Sequence, residues 1–98
     1  ALDVLAAARL LGWRVPEELS VVGVDNSHEA RDSHPPLTSV EVPMDAVGRE
    51  TMRALLRLPH GAPIEQCRVA VPVTDLIVRR STAPCPTGSS LNVSTHAQ

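Results

Sequence analysis

The stretch VPEELSVVGVDNSHEARDSHPPLTSV, from Val15 to Val40, decides how the chain reads. Its centre, Val21 to Val24, is free of polar side chains and stops on the carboxylate of Asp25. A buried parallel strand shows such an unbroken apolar run, and open α/β sheets bind ligands just beyond the carboxyl ends of their strands. Asp25 is therefore the first candidate for a functional side chain. A carboxylate there has two readings. It caps the turn or helix that follows, which Asp does well, or it faces a cleft and accepts hydrogen bonds from ligand hydroxyl or N–H groups. Bonds of that charge-assisted kind are worth about 1.5–3 kcal/mol.

Working outward, Ala1 to Leu11 crowds apolar residues around most of a helix, and Gly12 follows where a left-handed cap is wanted. A helix so apolar calls for cover on more than one side. Pro16 stops any continuation, and Ser20 to Val24 is the expected buried strand. Asn26 to His34 is a loop or short helix without core-forming content. Pro35-Pro36 stiffens the chain, and Leu37 to Val42 alternates apolar and polar residues as a strand or crossing segment does. Pro43 to Leu58 is a second helix with Met44, Val47, Met52, Leu55 and Leu56 at helical spacing, ended by Pro59 and Gly61. Val69 to Val78 supplies further strand, kinked at Pro72. From Pro84 to Gln98 the composition is that of a disordered tail. Alternating strands and helices imply an α/β fold with mainly parallel sheets.

Composition narrows the function. The chain has 98 residues, a net charge of −2, no lysine and a single aromatic residue, Trp13. Phosphate binding needs concentrated Lys and Arg, so this segment is not expected to grip DNA itself. Arg79-Arg80, the one adjacent basic pair, reads as a solvated strand end. No apolar run approaches the ~18 residues of a membrane span, so no membrane partner is expected. Cys67 and Cys85 are too few for a metal site or disulfide framework and read as reduced thiols, Cys67 half-buried at a strand start.

Asp25, His28 and Ser27 or Ser33 are the ingredients of a hydrolytic triad. No Gly-x-Ser-x-Gly elbow accompanies them, so the reading is not that of an enzyme. His28, His34, His60 and His96 lack metal-ligand spacing. No glycine-rich phosphate loop is present, and no cofactor is expected.

Four blocks carry a family resemblance: RVPEELSVVGVDN from Arg14 to Asn26, PPLTSV from Pro35 to Val40, Met44 to Gly48 followed by Arg49, and LIVRRSTA from Leu76 to Ala83. In this order and spacing, they resemble the carboxyl-terminal part of the lactose/galactose repressor (LacI/GalR) family of bacterial transcription regulators, over residues 1–83. That resemblance implies a fragment of a two-lobed fold of the type I periplasmic-binding-protein kind, with three strands crossing between lobes and the effector in the cleft. Residues 1–34 would belong to one lobe, Leu37 to Val42 would cross, Pro43 to Leu58 would lie on the other lobe, and Val69 to Val78 would return. The chain would complete neither lobe, its amino-terminal portion being absent.

By the same resemblance Asp25 contacts a small-molecule effector, a sugar or similar polar metabolite, with Asn26 as a secondary candidate better suited to forming a turn. The first helix and the loop before the prolines would supply a homodimer interface, with Leu2, Leu5 and Ser33 as its residues. The composition reading for the two leucines is core, and for the loop is solvent. Operator DNA would be bound by a helix-turn-helix absent from this chain, and the protein would be cytoplasmic. The alternative is a periplasmic sugar-binding protein of an importer, which shares fold and cleft.

Overall fold

The computed structural model describes residues 1–73 and 75–85. The first helix, α1 (Leu2–Leu10), ends as the glycine signalled. Gly12 takes φ of +76°. Its N–H donates to the Arg9 carbonyl at 3.2 Å and the Trp13 N–H to the Ala8 carbonyl at 2.8 Å, the paired bonds of a Schellman cap. Only Leu5 and Ala8 of α1 are buried. In the connector that follows, the Arg14 N–H donates to Glu18 Oε2 at 2.8 Å while the Glu18 N–H donates to the Arg14 carbonyl, also at 2.8 Å. That reciprocal pair closes the turn on which Val15 and Leu19 are laid against the core.

Strand β1 (Val22–Val24) pairs in parallel with β2 (Thr38–Glu41), and β2 pairs antiparallel with β3 (Asp75–Ile77), so β2 is central. Between β1 and β2 runs α2 (His28–Asp32), with Ser27 as its N-cap accepting from the Ala30 N–H at 3.3 Å. The long helix α3 (Met44–Arg57) follows β2 and packs against short 3-10 turns at Leu58–His60 and Ile64–Cys67. The architecture is thus α/β, as expected. Cys67 lies in the second of these turns rather than at a strand start, and among the described residues of the Val69 to Val78 stretch regular strand is confined to β3. The tail expected from Pro84 onward falls, beyond Cys85, outside the described residues.

The core is small and aliphatic: Leu5, Val21, Ala30 and Leu37 form one buried cluster. Gly23 is part of its construction. A Cβ on Gly23 would stand 2.8 Å from Leu37 Cδ2 and 3.2 Å from Ala1 Cβ, so any larger residue would require the buried Leu37 side chain to shift. Two expectations are corrected here. Ser20 to Val24 is not buried throughout. Val21 and Gly23 are inside, but Val22 is 50% and Val24 63% exposed, because no described element covers the second face of β1. Nor does β2 alternate simply between core and solvent. Leu37, Thr38 and Ser39 are all buried: the segment after β3 folds back and satisfies the polar groups of Thr38, while the Ser39 hydroxyl accepts the Asn26 N–H.

Helix α3 has no buried residue, and Met44, Met52, Leu55 and Leu56 are each more than half exposed. Its apolar face is therefore unpartnered within the described residues. None of the described helices is long and apolar enough to cross a membrane.

Candidate functional site

The carboxyl ends of β1 and β2 meet at Asp25. The Asp25 N–H continues the ladder by donating to the Val40 carbonyl at 2.9 Å, and the side chain is exposed. Asp25 and Asn26 hold φ of +89° and +48°, the two described non-glycine residues with positive φ. Such backbone is disfavoured for residues with a Cβ, though Asp and Asn tolerate it best, and it persists where neighbours over-determine it. The neighbours are visible. The Asn26 N–H donates to Ser39 Oγ at 2.9 Å, Asn26 Nδ2 donates to Glu41 Oε1 at 3.2 Å, and Asn26 Oδ1 accepts from Arg79 Nη2. The backbone thus turns sharply off β1 and leaves the Asp25 carboxylate outside, while Asn26 is spent inside.

Arg79, one residue beyond Val78 and close behind β3, is half-buried and not a solvated strand end. Its Nη1 donates to the Leu37 carbonyl at 2.7 Å and its backbone N–H to Thr38 Oγ1 at 2.9 Å. Behind it, Ser81 is fully buried. The Ser81 hydroxyl accepts the Thr38 N–H at 2.8 Å and donates to the Val21 carbonyl at 2.6 Å, while Thr82 Oγ1 lies 2.9 Å from Thr38 Oγ1. The segment from Arg79 to Thr82 is therefore a polar clamp across β1 and β2. Sequence periodicity does not show it. The signal present was Thr38 at the start of β2, matched by Ser81-Thr82.

Next to this corner lies an open concavity of about 370 Å³ lined by Glu41, Val42, Pro43, Met44, Asp45 and Arg49, among others. It shares Glu41, the acceptor of the Asn26 amide, with this corner. The concavity offers the carboxylates of Glu41 and Asp45, an apolar wall at Val42, Pro43 and Met44, and the cation of Arg49. Carboxylate acceptors beside apolar surface suit a small molecule rich in hydroxyl groups. A similar volume between α3 and residues 67–71 sits away from the strand ends and is a packing gap of the helix.

The other candidates are placed as follows. Leu2 is 38% exposed at the start of α1, whereas Leu5 is 7% exposed and inside the core cluster. The Ser33 hydroxyl is turned onto its own backbone, toward the carbonyls of Ala30 at 2.9 Å and Pro35 at 3.0 Å. Ser27 is engaged in capping α2, and the Glu29 carboxyl on that helix is held below its ordinary pKa by its own backbone N–H and then by the Ser27 hydroxyl. No group of three or more His, Cys, Asp or Glu residues among the described residues could hold a metal ion.

Known proteins resemble this chain. The chain is 42% identical over 86 residues to the HTH-type transcriptional regulator MalR of Streptomyces coelicolor, covering 88% of this chain and 25% of MalR. A LacI family transcriptional regulator from Mycobacterium smegmatis superposes with a TM-score of 0.71 at 32% identity, covering 86% of this chain and 30% of that one. The structure titled as a complex of the transcriptional regulator CelR with cellobiose superposes with a TM-score of 0.64 at 40% identity, covering 82% and 24%. The chain spans about a quarter of the length of the curated relatives it matches. The resemblance to lactose/galactose-type repressors carried by the four sequence blocks is borne out by these relatives. The model for the periplasmic binding protein-like domain matches residues 1–82, and the chain belongs to that family.

Proposed function

We propose that these residues form part of the effector-sensing domain of a bacterial transcription regulator, and that a small polar molecule, a sugar foremost, is taken at the carboxyl ends of β1 and β2. The observation that carries this is the Asp25 corner: a left-handed backbone, fastened through Asn26, that leaves an aspartate exposed at the strand ends, with a concavity that shares Glu41 with this fastening. The cellobiose complex of CelR supports a saccharide as the ligand class. β2 runs from the Asp25 corner into α3, and β3 returns beside it, so a ligand preferring one arrangement of these segments would shift the population toward it. Operator binding would then belong to the whole regulator through a helix-turn-helix outside these residues, with function in the cytoplasm and no catalytic step. A homodimer contact at α1, with Leu2 at its surface and Leu5 supporting it from the core, completes the proposal.

Calorimetric titration of the full-length protein with cellobiose and a panel of mono- and disaccharides tests it, together with retardation of its own upstream DNA. One-site sugar binding that alters DNA retardation is the expected result. Sugar binding by a protein with no DNA affinity would point instead to the periplasmic transport class, and binding of neither would overturn the proposal.

A further inference from the structure

Asn26 stands between a cation and an anion. Its carbonyl oxygen accepts from the Arg79 guanidinium and its NH2 donates to the Glu41 carboxylate, so the amide has only one orientation in which both contacts are favourable. Each of these bonds has an ionised partner, the stronger kind of hydrogen bond. The three residues come from three different segments: the exit of β1, the end of β2 and the stretch after β3. A second arm of the same guanidinium holds the Leu37 carbonyl, so Arg79 ties the entry of β2 to the exit of β1. A lysine could not do this, because it lacks the planar fork.

We infer that Arg79 and Asn26 are positioning residues for Asp25, an Arg79–Asn26–Glu41 relay fixing the left-handed turn that holds the Asp25 carboxylate outward. The inference deepens the proposed effector site and rests on it for its functional meaning, though not for its geometry. It also explains why the uncharged amide stands at position 26. An aspartate there would place a second carboxylate about 3.2 Å from Glu41 Oε1, and like charges at that distance oppose each other.

The test uses amide hydrogen exchange in the full-length protein, which needs no ligand, alongside cellobiose affinity. Arg79→Met and Asn26→Asp should each speed exchange of the Asp25 and Asn26 amides by about ten-fold or more, with the Leu5 amide of α1 unchanged. Adding Glu41→Gln to Asn26→Asp should restore protection, since the neutral amide at 41 donates to the new carboxylate. Where the parent binds cellobiose, its affinity should fall and recover in the same order. Unchanged exchange at Asp25 and Asn26 in Arg79→Met would overturn the inference, and so would loss of protection throughout the protein or failure of Glu41→Gln to rescue. A parent protein with no affinity for cellobiose or any other sugar would count against the effector reading alone, because the exchange result decides the positioning role by itself.

Discussion

The Ser81 hydroxyl lies 2.8 Å from the backbone nitrogen of Thr38, forty-three residues earlier in the chain, and hands the link on to the Val21 carbonyl at 2.6 Å. One side-chain oxygen thus joins the starts of β1 and β2 within a site that has no exposure to water. Removing that oxygen leaves a buried N–H and a buried carbonyl without this partner. Ser81→Ala is expected to destabilise the full-length protein by about 1–3 kcal/mol, the cost of unsatisfied buried polar groups. Denaturant unfolding measures it; a change within about 0.5 kcal/mol, the range of an ordinary surface substitution, would mean that water or a backbone shift replaces the hydroxyl.

The same contact shows where sequence reasoning stopped. Elements set by local chemistry were legible: the glycine that ends α1, the apolar run that ends on Asp25, the paired prolines before β2 and the helical spacing from Met44 to Leu56. These follow from backbone sterics and periodicity over a few residues. The polar clamp was not legible, because Thr38 is matched with Arg79 and Ser81 across some forty residues and each looks solvent-facing on its own. Burial of β1 was over-read for a related reason. An apolar run reports how many faces a strand is able to bury, whereas cover for the second face of Val22 and Val24 is absent from the described elements. At the site, Asp25 was marked by its place at the strand end, but the role of Glu41 and Arg79 in holding its neighbour required the fold.

The connector before β1 carries a pH signature. The Glu18 carboxyl is held below its ordinary pKa chiefly by the Arg14 backbone N–H and then by the Arg14 side chain. Because the folded value is depressed, the contact contributes above the unfolded glutamate pKa and is lost as pH falls through the folded value. Following the Glu18 side-chain carbon by NMR should give a midpoint below that of free glutamate, moving back toward it in Arg14→Ala only in part, since the backbone donor remains. An ordinary midpoint in the parent would show that this turn is open in solution. The pair is solvent-exposed, so the effect on overall stability should be slight.

Leu2 gives the dimer proposal its test. A charged residue at this partly exposed position should raise the dimer dissociation constant of the full-length protein by about ten-fold or more, because an unpaired charge in an apolar contact is costly. Sedimentation at low concentration reads the change. Leu5→Asp is unsuitable as a companion, since Leu5 belongs to the core cluster and its loss would unfold the lobe. A folded Leu2→Glu variant as dimeric as the parent would move the interface elsewhere.

The central claim is that the outward carboxylate of Asp25 is the ligand's hydrogen-bond acceptor. Its most direct measurement is calorimetric titration of Asp25→Ala against the sugar that the parent protein binds. The expected result is an affinity lower by about ten-fold or more, since losing a hydrogen bond to a charged group costs at least ~1.5 kcal/mol, with operator affinity in the absence of sugar little changed. Sugar affinity equal to that of the parent in a folded Asp25→Ala protein would contradict the account.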